Sequence, residues 1–380
     1  MKEYQFKSFC PYRVAPIGAH SDIQFGKITG FALDKGITVN YNIVPDGRFT
    51  LRSANFNGEV HFSADKIPEH KQGDWADYLR GAVHVLSRTR TVENGIDAYI
   101  EGTMPIGGLS SSAAVTIAFI SALIKANGII LTSEELIDTA LKAENEYVGV
   151  KCGRMDQSCE VYAKKDCLLF VDTLDGTHET IAPGAGMKPY EIAVFFSGVP
   201  RTLVGSAYNM RVDEIQSAAY ALLAFSGMPY GNFADKRLRQ IPVEVFNEYK
   251  NKLPDNWRKR AEHWYSEQER VEKGISAWRN GDIASFGKLS FESGHSSIYS
   301  YETGSPELKK LYDIMLNTDG IYGGRFSGAG FKGCCMALID PAFEKSILER
   351  VETEYLKAFP QLRGKYSAHI CHSADGVKLV

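Results

Sequence analysis

The stretch PIGGLSSSAAVTIAFISALI, residues 105 to 124, sets three serines between a glycine pair and an apolar run of helical length. A glycine pair lets the backbone turn tightly and approach a ligand closely. The serines then enter a helix whose unpaired N–H groups and positive dipole end favour an anion. Ala113 and Ala114 keep the first turn uncrowded. A triphosphate suits such a loop, with a serine hydroxyl within reach of a Mg2+ ion, and three serines are more than a helix cap needs. The P-loop pattern G-x-x-x-x-G-K-[ST] is absent.

Three other stretches carry reactive groups. In AENEYVGVKCGRMDQS (143 to 158), Glu144 precedes Asp156 by twelve residues. Phosphoryl transfer needs one carboxylate for the metal and another for the attacking hydroxyl. Alone, the two acids read as a helix-surface glutamate and a turn aspartate; the serine loop reverses that balance. GRFSGAGFKGCCMALID (324 to 340) contains G-x-G-x-x-G at Gly328, Gly330 and Gly333. A dinucleotide turn should open a helix, but a strand-like run follows here, so a loop over phosphates or sugar fits better. Near the start, YRVAPIGAHSD (12 to 22) gathers Arg13, His20 and Asp22 around a Pro16–Gly18 bend.

The elements that must position these groups alternate without a strict strand-helix-strand rhythm, which predicts an α+β protein. ITGFAL, GITVNYNIV and FTLRSA read as strands, with PDGR as a hairpin turn. The spacing predicts a helix over 74–88 with Asp74 as N-cap, one over 111–127, and one over 132–149 opened by Thr132 or Ser133, with Glu135 three residues on from Thr132 as in a capping box. KDCLLFVDT and YEIAVFFSG read as strands, residues 205–317 as mostly helical, and the end as strand, helix, strand.

With 380 residues, at roughly 150 per domain, the chain has room for two domains, placed at 1–190 and 191–380. A net charge of -3 argues against a nucleic-acid partner. The longest apolar run, residues 113–124, is too short to span a bilayer, and no leader pattern opens the chain. Seven cysteines without a C-x-x-C pair read as buried free thiols, and a cytoplasmic location is expected. HICH (369 to 372) lacks the second cluster a metal site needs.

Taken together and in order, these motifs resemble the GHMP sugar kinases, named for galacto-, homoserine, mevalonate and phosphomevalonate kinases. YRVAPIGAHSD is similar to the galactokinase sugar signature G-R-V-N-L-I-G-E-H-x-D, and PIGGLSSSAA to the phosphate loop P-x-x-x-G-L-S-S-S-A. RFSGAGFKGCCMALID resembles the third motif, and GRMDQ the stretch G-I-M-D-Q carrying the catalytic aspartate. PIGAHSD, LRSANFNGEVHF, RAEHWYSEQERV and FSGAGFKGCC look like the galacturonokinase branch of the family.

The resemblance implies the two-domain GHMP architecture: an N-terminal domain like domain 2 of ribosomal protein S5, and a C-terminal ferredoxin-like α/β-plait with helical insertions. ATP would be co-substrate and Mg2+ the metal. Asp156 matches the residue that activates or orients the anomeric hydroxyl, and Arg13 the one that lowers that hydroxyl's pKa or steadies developing charge. Pro105, Gly107, Gly108, Leu109, Ser110, Ser111, Ser112 and Ala113 match the ATP side, with Gly328 and Gly330 of the third motif. Ser112 and Glu144 match the metal ligands. Trp75 and Tyr78 match adenine-side aromatics, and read equally as core-facing helix residues.

On the sugar side stand His20, Asp22, Gly153 and Tyr208, with Ala19 where galactokinases carry a glutamate near the sugar's C6 end. A uronic acid is charged at C6. Two like charges ~4 Å apart at an effective dielectric of ~20 repel by about 4 kcal/mol, so removing the glutamate admits a uronate; drift at this position, or another C6-modified sugar, is the competing reading. Arg201 and Arg211 are candidates to face that carboxylate. The expected reaction is phosphorylation of D-galacturonate at its anomeric hydroxyl, with galactose as the alternative acceptor. A non-catalytic sugar sensor is disfavoured by the intact GLSSSAA and Asp156. A monomer or weak homodimer is expected.

Overall fold

A computed structural model describes residues 3–199 and 206–378. Eight strands form the first sheet: β1 (Phe6–Val14), β2 (Lys27–Pro45), β3 (Arg48–Ser53), β4 (Glu59–Ser63), β5 (Asn94–Gly102), β6 (Leu168–Asp172), β7 (His178–Ile181) and, from the far end of the chain, β12 (Ser373–Ala374). Their order is β4-β3-β5-β2-β6-β7, with β1 and β12 also paired to β2. The second sheet is β11 (Ser367–Cys371), β8 (Glu191–Phe196), β10 (Cys334–Ile339) and β9 (Ile321–Phe326), in that order.

Long β2 changes partners along its length, pairing β6 through Lys27–Gly30 and β5 through Ile37–Pro45. The PDGR turn reverses the chain but does not make the expected hairpin. β5 inserts between β2 and β3, antiparallel to the first and parallel to the second. A turn signal fixes a reversal of direction; which strands pair depends on distant sequence.

Helices α1 (Asp77–Leu86), α2 (Ser111–Asn127), α3 (Ser133–Lys142) and α4 (Met155–Tyr162) accompany the first sheet. Apolar on most sides, α2 is buried along nearly its whole length. Thr132 and Glu135 form the expected capping box. Asp74 does not cap α1, which begins at Asp77; its carboxylate accepts from the Ala76 amide and pairs with Arg80 at 2.7 Å. The helix expected over 132–149 ends at Lys142, and Ala143–Val148 continues as a wider π turn closed by Gly149 at φ +80°. Such bulges re-aim side chains, frequently at functional sites, and this one carries Glu144.

The second half adds α5 (Ser206–Phe225), α6 (Val243–Tyr249), α7 (Asp255–Arg279), α8 (Ile283–Tyr299), α9 (Pro306–Leu316) and α10 (Glu344–Ala358). Alternation along β8 explains how the halves join. Ile192, Val194 and Phe196 point into the core shared with the first sheet, whereas Ala193 and Phe195 pack with α9 and α10. No described helix is long and apolar enough to cross a membrane. All seven cysteines are free thiols; five are buried, and Cys152 and Cys167 are only partly covered.

Candidate active site

Arg13, near the end of β1, draws the sequence motifs together. Its guanidinium is 3% exposed and binds a single oxygen of Asp156, Oδ1, through Nε at 2.8 Å and Nη2 at 2.6 Å. Nη1 donates to the Gly108 carbonyl at 3.1 Å and to Ser327 Oγ at 3.3 Å. Burial works against the charge of Arg13, but Asp156 offsets this and the guanidinium is held above its ordinary value. Because both contacts fall on Oδ1, Oδ2 of Asp156 is left for another donor, and the side chain is 29% exposed toward a cavity of about 870 Å3.

The bend after Arg13 is fixed from α7, some 250 residues away. Gly18 N donates to Glu267 Oε1 at 2.6 Å, His263 Nε2 to the Ala19 carbonyl at 2.9 Å, and Trp264 Nε1 to the Ser21 carbonyl at 3.1 Å. His20 adopts a left-handed φ of +61° and stacks on Tyr301, with ring centroids 4.4 Å apart. Burial, then the charge of Arg325, pushes the His20 imidazolium well below its usual range, so the ring is neutral. Its Nε2 is buried with no hydrogen-bond partner. Asp22 accepts from the Met155 amide at the start of α4 at 3.0 Å. Burial raises its carboxyl to about 6, with the Met155 amide opposing and Asp156 adding to the rise. Ala19, His20, Asp22, Gly153 and Tyr208 all line the cavity.

The phosphate-type loop turns through Gly107 (φ +133°), Gly108 (φ +86°) and Ser110 (φ +62°) into α2. It interlocks with the 327–333 loop: a Cβ on Gly108 would lie 2.7 Å from Cys334 Sγ, and one on Gly333 would lie 2.6 Å from the Gly107 carbonyl carbon. Ser110, Ser111, Ser112, Gly108 and Gly328 line the cavity. Other expected contacts do not. Pro105 is exposed outside, and Gly107 is buried between the two loops. Leu109 and Ala113 turn into the core, since the first turn of α2 must bury its apolar side. Gly330 packs against the Phe326 ring.

Glu144, buried on the π turn, and Ser112 face the same cavity. Among the described residues no three His, Cys, Asp or Glu side chains gather as a metal cage. Mg2+ is ordinarily held by one or two protein groups plus phosphate oxygens and water, and this pair fits that pattern. Trp75 stacks on Phe56 (5.9 Å, 5°) and, with Tyr78, lines the cavity wall. Arg211 does not reach the cavity; it pairs with Glu214 one turn along α5 at 3.1 Å. Arg201 lies outside the described residues.

Sequence reasoning missed Arg325, Ser327 and Glu160. The first two stand inside a quoted motif, and a lone arginine in the buried strand IYGGRF was the available signal. Glu160 lies four residues beyond Asp156, on the same face of α4, and is fully buried. Burial, then Asp156, raises its carboxyl well above the ordinary range, against the opposing pull of Arg13. The fold therefore favours its neutral form. That stability is complete below the unfolded value of ~4.3 and is lost as pH rises through the folded value. In Glu160→Gln the decline of Tm between pH 5 and 8.5 becomes shallower than in the wild type. Calorimetry across that range checks this, and an unchanged slope contradicts it.

The GHMP kinases N-terminal domain model matches residues 77–164, and the GHMP kinases C-terminal model residues 275–358. A galacturonokinase of Arabidopsis thaliana is 37% identical over 394 residues, covering 97% of this chain and 92% of that protein. The chain belongs to the GHMP kinases. A galactokinase of Roseiflexus sp. is 33% identical to this GHMP kinase, over 97% of the chain and 91% of the relative. The crystal structure of Lactococcus lactis galactokinase complexed with galactose superposes with a TM-score of 0.89 at 24% identity, over 98% of this chain and 95% of that one. Methanococcus jannaschii mevalonate kinase gives 0.68 at 16% identity, covering 98% and 99%. The fold is the α+β two-domain GHMP fold, and the protein is a sugar kinase of the galactokinase and galacturonokinase type, an ATP-dependent phosphotransferase.

Proposed function

We propose that this GHMP kinase transfers the γ-phosphoryl group of ATP to the anomeric hydroxyl of D-galacturonate, giving α-D-galacturonate 1-phosphate. The observation that carries the choice of acceptor is Ala19. It is an uncharged residue 6% exposed on the cavity wall, where the galactokinase signature has glutamate. Similarity to a galacturonokinase supports the same reading.

In this reading the cavity separates domains 1–190 and 191–380, with the sugar between the 16–22 bend, Gly153 and Tyr208. Asp156 Oδ2 accepts the anomeric O–H while Arg13 fixes Oδ1, so the hydroxyl oxygen faces the phosphate loop. As that oxygen bonds to the γ-phosphorus and the bond to ADP breaks, the hydroxyl proton passes to Asp156. Arg13 lies close enough to steady the charge. Ser110 to Ser112, at the amide-rich start of α2, cradle the phosphates, with Trp75 and Tyr78 beside the nucleoside. Ser112 and Glu144 would hold Mg2+, which when bound offsets triphosphate charge.

The test is kcat/KM for galacturonate, galactose and glucuronate, followed as ADP release. Galacturonate is expected to lead galactose by at least ~100-fold, the size of a difference near 3 kcal/mol. A preference for galactose overturns the acceptor, and sugar binding without any turnover favours a sensor.

A further inference from the structure

The phosphate loop brings no cation of its own. From Pro105 to Ile124 the chain has neither lysine nor arginine, and what it offers an anion is amides and hydroxyls at the start of α2. A P-loop, by contrast, carries a lysine that reaches the β- and γ-phosphates. The wall around this loop is acidic, since Asp22, Glu144 and Asp156 all line the cavity. A triphosphate entering there meets these carboxylates, and Mg2+ at Ser112 and Glu144 would offset only part of its charge. Among the described residues, the cations on the wall are Arg13, Arg325 and Lys332. Arg13 is committed to Asp156, the Gly108 carbonyl and Ser327 Oγ. Arg325 is 1% exposed and donates to the Phe326 carbonyl and Ser297 Oγ, each at 3.0 Å, and to Ser293 Oγ. Lys332 is half-buried and stands on the segment that interlocks with the phosphate loop.

That segment is pinned to the phosphate loop at both ends. At its start, Arg13 Nη1 donates to both Ser327 Oγ and the Gly108 carbonyl, and a Cβ on Gly328 would lie 3.1 Å from the Gly108 oxygen. At its end, a Cβ on Gly107 would lie 3.1 Å from the Gly333 Cα, and Ser197 N donates to the Gly333 carbonyl at 2.9 Å. Between the pins, Ala329, Phe331 and Lys332 line the cavity. The first pin is also the Arg13–Asp156 pair, where the acceptor hydroxyl is assigned. The part of a triphosphate that lies between the Ser110–Ser112 loop and that hydroxyl is its γ-phosphoryl group.

We propose that the Lys332 ammonium binds the γ-phosphoryl oxygens of ATP and is a further catalytic residue of this kinase. The proposal rests on the reading above that lays the triphosphate on the Ser110–Ser112 loop. Phosphoryl transfer asks a protein mostly for positioning and for stabilisation of the charge spread over the transferring oxygens. A lysine is a compact charge with three rotatable donors on a flexible stem, so it can follow the phosphorus toward the acceptor. The bonds made and broken are those given above, and Lys332 neither takes nor gives a proton.

Titration calorimetry with AMP-PNP and ADP, each in Mg2+, on wild type, Lys332→Met and Lys332→Arg reads the contact apart from turnover. Loss of a charged hydrogen bond should weaken AMP-PNP binding by about 10- to 100-fold in Lys332→Met. ADP binding should be unchanged, and Lys332→Arg should restore most of the loss. Single-turnover phosphoryl transfer should fall by about 10^2- to 10^3-fold in Lys332→Met, as when one donor to a developing charge is removed. AMP-PNP binding that is unchanged, or lost equally with ADP, shows that Lys332 at most holds the loop and overturns the proposal. A loss confined to galacturonate binding overturns it too, by placing the lysine on the sugar side. If Lys332→Met does not fold, a crystal structure of the wild type with AMP-PNP decides. Nζ within about 3.5 Å of a γ-phosphoryl oxygen, the ordinary hydrogen-bond limit, supports the proposal, and Nζ directed elsewhere overturns it. Wild-type failure to bind AMP-PNP would instead sink the triphosphate placement proposed above, so the two failures are distinct.

Discussion

Asp156→Ala lowers kcat by about 10^3- to 10^4-fold while ATP affinity stays within a few-fold of wild type. A positioned proton acceptor is worth about 10^2- to 10^4-fold, and Asp156 is assigned the orientation of the hydroxyl as well. ATP affinity should survive because the loop running from Gly107 into α2 takes its shape from its own turns and from the 327–333 loop. The substitution also leaves Arg13 buried without its carboxylate, a loss of about 3–5 kcal/mol where a buried pair is broken. Arg13 keeps its contacts to Gly108 O and Ser327 Oγ, which limits that loss. Asp156→Asn separates the two effects: it preserves an oxygen for Arg13 but cannot take a proton. Single-turnover kinetics with a parallel ATP-analogue titration measure both variants. Turnover within tenfold of wild type in Asp156→Asn would remove the proton-accepting role and leave only orientation.

What was legible in the sequence is what short segments determine by themselves. The glycine pair, the serines and the apolar run from 111 fix the phosphate-type loop and α2, and Thr132 with Glu135 announces α3. Arg13, Ala19, His20, Asp22, Glu144 and Asp156 were all named from sequence and share one cavity. The misses depend on distant partners. β5 displaces β3 from β2, and the π turn at Ala143 replaces two turns of regular helix. Leu109 sits among candidate ligands in sequence, yet burial of the first turn of α2 turns it inward. Arg211 looked suited to a carboxylate, but Glu214 already occupies it. Arg325 acquires meaning only when α7 and β9 bring Glu267 and Arg270 beside it.

Ala19→Glu is expected to reduce the ratio of kcat/KM for galacturonate to that for galactose by about 10^3-fold. The backbone there is held by Glu267 and His263 through main-chain atoms, so a new side chain inherits the Ala19 direction, along the cavity wall. A glutamate would meet the C6 carboxylate as a like charge, at a penalty of about 4 kcal/mol for ~4 Å separation and an effective dielectric of ~20. At 1.4 kcal/mol per decade that approaches ~10^3. Galactose is uncharged at C6 and escapes this repulsion, losing only what added bulk removes. Ala19→Gln carries the same bulk without the charge, so it should lower both sugars by similar factors. Equal losses for the two sugars in Ala19→Glu, matching those in Ala19→Gln, would mean that volume rather than charge governs this wall. The substrate assignment would then lose the residue on which it stands.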